Sequence, residues 1–162
     1  MCSRCIRKTV RPHLRSSEQL LAAVLAQNAG ANAAMMLSTL RGPLATAKAF
    51  DAADRRHADA VAAAKPAGLD VDRRMVIAVT TERLLVFRSG GAFTVKAKEL
   101  LAEVPIAAVD GIDVERDGQL TKTVTLRVRG AAIAVETAGG QRPEDLDRAL
   151  ERARPHVRAT AA

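Results

Sequence analysis

The stretch Met75–Arg88, MVIAVTTERLLVFR, constrains the fold of this chain more than any other. Two short apolar runs, Met75–Val79 and Leu84–Phe87, flank the polar tetrad Thr80-Thr81-Glu82-Arg83, which is the pattern of a β-hairpin with a four-residue connection. The residues that follow continue in the same style, with a period of two and turn signals between short runs. A sheet is therefore expected from here to the last quarter of the chain.

Downstream, Ser89-Gly90-Gly91 is a turn, Phe93–Lys98 alternates as a short edge strand, and Leu100–Pro105 is a further strand with Pro105 near its end. Val109–Glu115 alternates imperfectly, and Gly111 predicts a bulge there. Arg116-Asp117-Gly118-Gln119 turns the chain into a strand with Val124, Leu126 and Val128 on one face and Thr123, Thr125, Arg127 and Arg129 on the other. Gly130-Ala131 leads into Ala132–Thr137, with Ile133 and Val135 facing inward. The last element is a helix: Pro143 opens it, Glu144, Asp145 and Asp147 complement its positive end, Leu146, Ala149, Leu150 and Ala153 share one face, and Pro155 is expected to stop it.

Before the hairpin the signals are helical. Residues 19–40 carry no charge, long enough in principle to span a bilayer, but Ala dominates and Gln27, Asn28, Gly30 and Asn32 interrupt the run. Its hydrophobes fall in two clusters, which predicts two short amphipathic helices with Glu18 in the first turn. Leu44–Lys65, after Pro43, is a continuous helix with a thin apolar stripe that includes Phe50 and Val61. Pro66-Ala67-Gly68 marks the domain boundary. The expected organisation is a basic disordered tail over 1–16, a helical arm over 17–65, a sheet domain over 66–155 and a tail over 156–162.

The net charge of +7 is unevenly placed. Arg4, Arg7, Lys8, Arg11 and Arg15 give the first 16 residues +5, whereas residues 66–141 are neutral. Specific duplex nucleic-acid binding by the sheet domain is thereby disfavoured, and the N-terminal cations are the candidate contact with an anionic surface. With no Trp, no Tyr and three Phe, base stacking on aromatics is largely excluded.

Cys2 and Cys5 form a C-x-x-C pair without a second ligand pair or a βα context, so neither zinc nor thioredoxin chemistry follows and no cofactor is inferred. Reduced cysteines and the lack of a signal peptide point to the cytoplasm, with the inner membrane surface as an alternative. His13, His57 and His156 have no nucleophile at motif spacing, and no phosphate-binding glycine loop is present. Asp110, Asp113, Glu115 and Asp117 form an acidic edge without calcium-loop spacing. Arg127 and Arg129 face Glu136 across a hairpin, predicting cross-strand pairs, and together with Arg83 they are the candidate contact residues of the sheet.

Six or seven antiparallel strands followed by one amphipathic helix is the order of a pleckstrin-homology-like (PH-like) barrel or sandwich. The runs AVTTERLLVFR, ELLAEVPIAAVDGIDVERDG, TVTLRVRGAAIAVET and PEDLDRALERA resemble small bacterial proteins of unassigned role that carry a PH-like domain, over about residues 70–155. The chain departs from eukaryotic PH domains in lacking a tryptophan in the last helix and a basic cluster in the first hairpin loop. The resemblance implies an α+β fold and a non-catalytic binding or adaptor module working through protein contacts or self-association. Docking of the tail and the 19–40 segment on anionic lipid is the alternative, and no small-molecule substrate is implied.

Overall fold

In the computed structural model, which describes residues 3–31, 43–90, 95–117, 121–138 and 140–160, the hairpin forms as the sequence pattern requires. Strand β2 (Arg74–Thr80) pairs antiparallel with β3 (Arg83–Gly90), and Val79 opposite Leu84 closes the four-residue connection. Thr80 sets the corner: its hydroxyl accepts from the Arg83 and Glu82 amides (2.9 and 3.2 Å) and donates to the Arg83 carbonyl (2.9 Å) or to Glu18.

Around this hairpin the elements run α1 (Ser3–Val10), β1 (Leu20–Asn28), α2 (Pro43–Ala64), β2, β3, β4 (Lys96–Pro105), β5 (Val109–Asp117), β6 (Thr121–Val128), β7 (Ala131–Ala138) and α3 (Glu144–Thr160). Among the described residues seven strands make one antiparallel sheet in the order β4-β3-β2-β1-β7-β6-β5, not closed into a barrel, and with the helices it gives an α+β fold. Strand β1 pairs with β2 from Leu20 to Gln27 but with β7 only at Gln27 opposite Glu136 and Asn28 opposite Val135. The sheet is thus two halves, β1–β4 and β5–β7, joined at one end of β1.

The halves face each other over the main core, in which Val24, Ile77, Val86, Leu126 and Ile133 meet the buried face of α3, with Leu146, Ala149, Leu150 and Ala153 fully inaccessible. A second, smaller core lies on the other side of β1–β4, where Ile6 and Val10 of α1 cover Leu25, Val76, Leu85 and Phe87. Burying Ile6 and Val10 stabilises the fold by about 2 kcal/mol each.

Several expectations need correction. Residues 20–28 are a central strand, and the first of the two helices expected between 19 and 40 is absent; residues 32–40 lie outside the described residues. Ala22, Val24 and Ala26 face one core and Ala23 and Leu25 the other, and a strand buried on both faces shows no alternation. Residues 3–10 form a packed helix, where a disordered tail was expected. Because β1 belongs to the sheet, Pro66-Ala67-Gly68 ends α2 without separating two domains. The expected helix from Leu44 is present as α2, anchored by a hydrogen bond from the Asn28 side-chain amide to the Ala53 carbonyl (3.0 Å), with Phe50 and Val61 exposed. The two strands expected between Phe93 and Pro105 are one, β4, and residues 91–94 lie outside the described residues. Helix α3 runs through Pro155 to Thr160 rather than stopping there.

Other readings hold. The bulge falls between Val109 and Gly111, and a Cβ on Gly111 would lie 2.8 Å from the Arg127 guanidinium, which crosses β5 there. The β6–β7 turn, however, lies one residue earlier than expected: Arg129 and Gly130, both at positive φ, form it, so Arg129 leaves the face of β6 and Ala131 begins β7.

A chain beginning at Ala67 lacks β1 and leaves β2 and β7 with unpaired edges. It is expected to show no cooperative thermal transition by circular dichroism, and a sigmoidal transition would contradict the role given to β1.

Candidate functional site

The N-terminal cations are placed by α1. Its inward residues, Ile6 and Val10, are spaced i, i+4, which leaves Arg7, Lys8 and Arg11 exposed on the outer side. Two polar contacts fix the helix against the sheet. The Ala97 amide donates to the Thr9 hydroxyl (3.0 Å), and the Arg7 guanidinium donates to the Leu21 carbonyl (3.3 Å).

Arg7, Lys8 and Arg11 line a groove of about 620 Å³ between α1 and the start of β1, together with the half-buried Leu14 and Leu20. Neither Lys8 nor Arg11 has an ion-pair partner among the described residues. Arg15 pairs with Glu82 (3.5 Å), and only the backbone of Arg4 is described. Three of the five cations expected at an anionic surface therefore meet in one groove.

The one acid lining the groove is already neutralised. The Glu18 carboxylate, with its side chain inaccessible, accepts from Arg83 Nε (3.0 Å) and Arg83 Nη2 (2.5 Å), from the Thr80 hydroxyl (2.6 Å) and from the Arg15 amide (3.0 Å). Arg83 also reaches Glu103 on β4 and the His13 carbonyl (3.4 Å), and the His13 ring packs edge-on against Phe87. Burial pushes the Glu18 carboxyl up, but the hydrogen bonds from Arg83, Thr80 and Arg15 outweigh it and bring it down to about 2 from an ordinary 4.5. The hydrogen bond to Glu18 likewise raises Arg83 above its usual range.

The other candidate cations do not converge. Arg83 is 7 % exposed and committed to Glu18 and Glu103. Arg127 pairs with Asp113 on β5, and Arg129 donates to the Ala67 carbonyl (3.0 Å), so the pairing of either with Glu136 is corrected. Register places Arg127 opposite Ala132 and Glu136 opposite Thr123. Glu136 is buried at the β1–β7 junction, where the Gly30 amide donates to it.

Among the described residues no group of three or more His, Cys, Asp or Glu is placed to hold a metal ion. Cys5 is half-buried on α1, and Cys2 lies outside the described residues. Among the described residues no helix is long and apolar enough to cross a membrane. No protein-family model matches this chain, and no curated protein matches it.

Sequence reasoning missed Glu18 as a partner of Arg83, 65 residues away. The available signal was a single acid in an otherwise acid-free N-terminal 50 residues. Removing the charge by Glu18→Gln should destabilise the protein by about 3 kcal/mol in urea unfolding at neutral pH. A carboxyl lowered on folding contributes fully above its unfolded value, so the gap between wild type and variant should be constant above about pH 5 and close as pH falls toward about 2. A gap that does not change with pH would contradict the pairing.

Proposed function

We propose that the chain is a non-catalytic, cytoplasmic binding or adaptor module with a PH-like fold, which engages an anionic protein partner through the outer face of α1. Counting β1 as the first strand gives seven antiparallel strands and then α3, which is the order of PH-like domains apart from α2 between β1 and β2, and supports that part of the reading. The functional part rests on one observation. Arg7, Lys8 and Arg11 stand together on a helix packed against the sheet, around a groove with apolar walls at Leu14 and Leu20, and two of the three have no internal counter-charge among the described residues.

A cation held on a packed helix loses less conformational entropy on binding than one on a loose tail. The half-buried leucines add apolar area between the charges, which suits a protein segment better than a phosphate backbone. The alternative, docking on an anionic bilayer, loses its apolar inserting helix over residues 20–28, which are strand, and retains the same cations.

Binding of the full chain to soluble polyglutamate and to vesicles containing phosphatidylserine, each over a salt series, tests this. Polyglutamate binding that weakens with salt, and that falls roughly tenfold or more in the double variant Lys8→Glu/Arg11→Glu, is the expected result. Vesicle binding without polyglutamate binding favours the bilayer. Binding unchanged in the double variant would overturn the role of α1.

A further inference from the structure

Part of the backbone edge of β1, a strand in the middle of the sheet, has no described strand beside it. Along β1 the amides facing β2 alternate, as the bond from the Asn28 amide to the Arg73 carbonyl fixes. Ala23 and Leu25 therefore turn their N–H and C=O groups the other way, toward β7, while Leu21 lies in a bulge of β1 with its carbonyl turned to Arg7. Strand β7 reaches β1 only at Gln27 and Asn28, so from Leu21 to Leu25 no described strand lies alongside. That leaves roughly 13 Å of edge at about 3.3 Å per residue.

Two side chains stand in for the missing strand. Arg7 donates to the Leu21 carbonyl (3.3 Å), and the Gln141 side-chain oxygen accepts from the Leu25 amide at a long 3.4 Å. Between them lies Ala23, in the lining of a second groove of about 280 Å³ that Gly140 and Arg142 also line. This groove shares the Arg7 side chain with the groove of Lys8 and Arg11, so the two lie on either side of it or meet at it. Arg142 is exposed and has no ion partner among the described residues, and Asp145, the acid of the second groove, is already paired with Arg148 (3.4 Å).

We infer that β1 takes up an extended acidic peptide segment of a partner protein, which adds as a strand along residues 21–25 with its carboxylates on Arg7 and Arg142. The inference rests on the proposed anionic partner and narrows it to a segment that pairs through its backbone. Strand addition gives affinity through main-chain hydrogen bonds, and flanking side chains select the sequence. Here Ala23 supplies a donor and an acceptor and the displaced Gln141 frees a donor at Leu25. Arg7 and Arg142, both in the lining of the groove, select acidic residues over basic ones.

The test uses the full chain and a fluorescent peptide of alternating glutamate and valine, with two further versions carrying N-methyl groups on one or the other alternate set of amides. The charge is the same in all three, but each N-methylated set has lost the donors of one edge. The expected result is binding of the parent peptide, at least tenfold weaker binding of one N-methylated version, roughly tenfold weaker binding to Arg142→Glu, and slowed hydrogen exchange at the Ala23 amide. Equal binding of all three peptides, abolished by Lys8→Glu/Arg11→Glu, would overturn strand addition and leave the anionic partner standing. Slowed exchange at β4 or β5 in place of Ala23 would overturn the site. Failure of the parent peptide to bind, with polyglutamate also inert, would overturn both readings.

Discussion

The start of β1 is fixed on the central hairpin by one buried ion pair. Glu18 precedes β1 and Arg83 begins β3, and their two-point contact, reinforced by Thr80, locks the start of β1 onto the corner of the central hairpin. Burying a carboxylate is costly unless its lone pairs are filled, and here Arg83, Thr80 and the Arg15 amide fill them. Such a pair contributes less to net stability than to choosing one arrangement. Glu18 can reach its partners only if β1 lies beside β2 in the observed register, with Leu20 opposite Thr80 and the Gln19 carbonyl accepting from the Thr81 amide (3.0 Å).

Small side chains make the rest possible. Among the described residues Phe87 is the largest fully buried side chain, and apart from it and Met75 both cores are filled by Val, Leu, Ile and Ala. Ala22, Ala23 and Ala26 on β1 let α1 approach from one side and the core shared with α3 from the other, which bulkier residues would prevent. The β1 edge is left uncovered where β7 turns away.

The parts of the fold with a local signature were legible in the sequence: the hairpin, the alternation of β6, the bulge at Gly111, the α2 helix and the apolar face of α3. Strand β1 was not, because Leu and Ala favour helices in isolation and a strand buried on both faces has no period to read. Its length of nine residues between Ser16-Ser17 and Ala29-Gly30 was the usable clue. The site was half legible. The cations Arg7, Lys8 and Arg11 could be picked out by charge, but their convergence depends on α1 packing through Ile6 and Val10, and the roles of Glu18 and Arg142 depend on contacts across the whole chain.

A tail that binds by charge alone and a face that presents charge from a fixed scaffold differ in how the N-terminal segment opens. Native-state hydrogen exchange at Ala22, Val24 and Ala26, whose amides face β2, measures this directly. If β1 is integral to the sheet, these amides open with the same free energy as those of the β2–β3 hairpin and lose protection together with them in rising denaturant. Exchange of the β1 amides by a separate, low-energy opening while the hairpin stays protected would contradict the account.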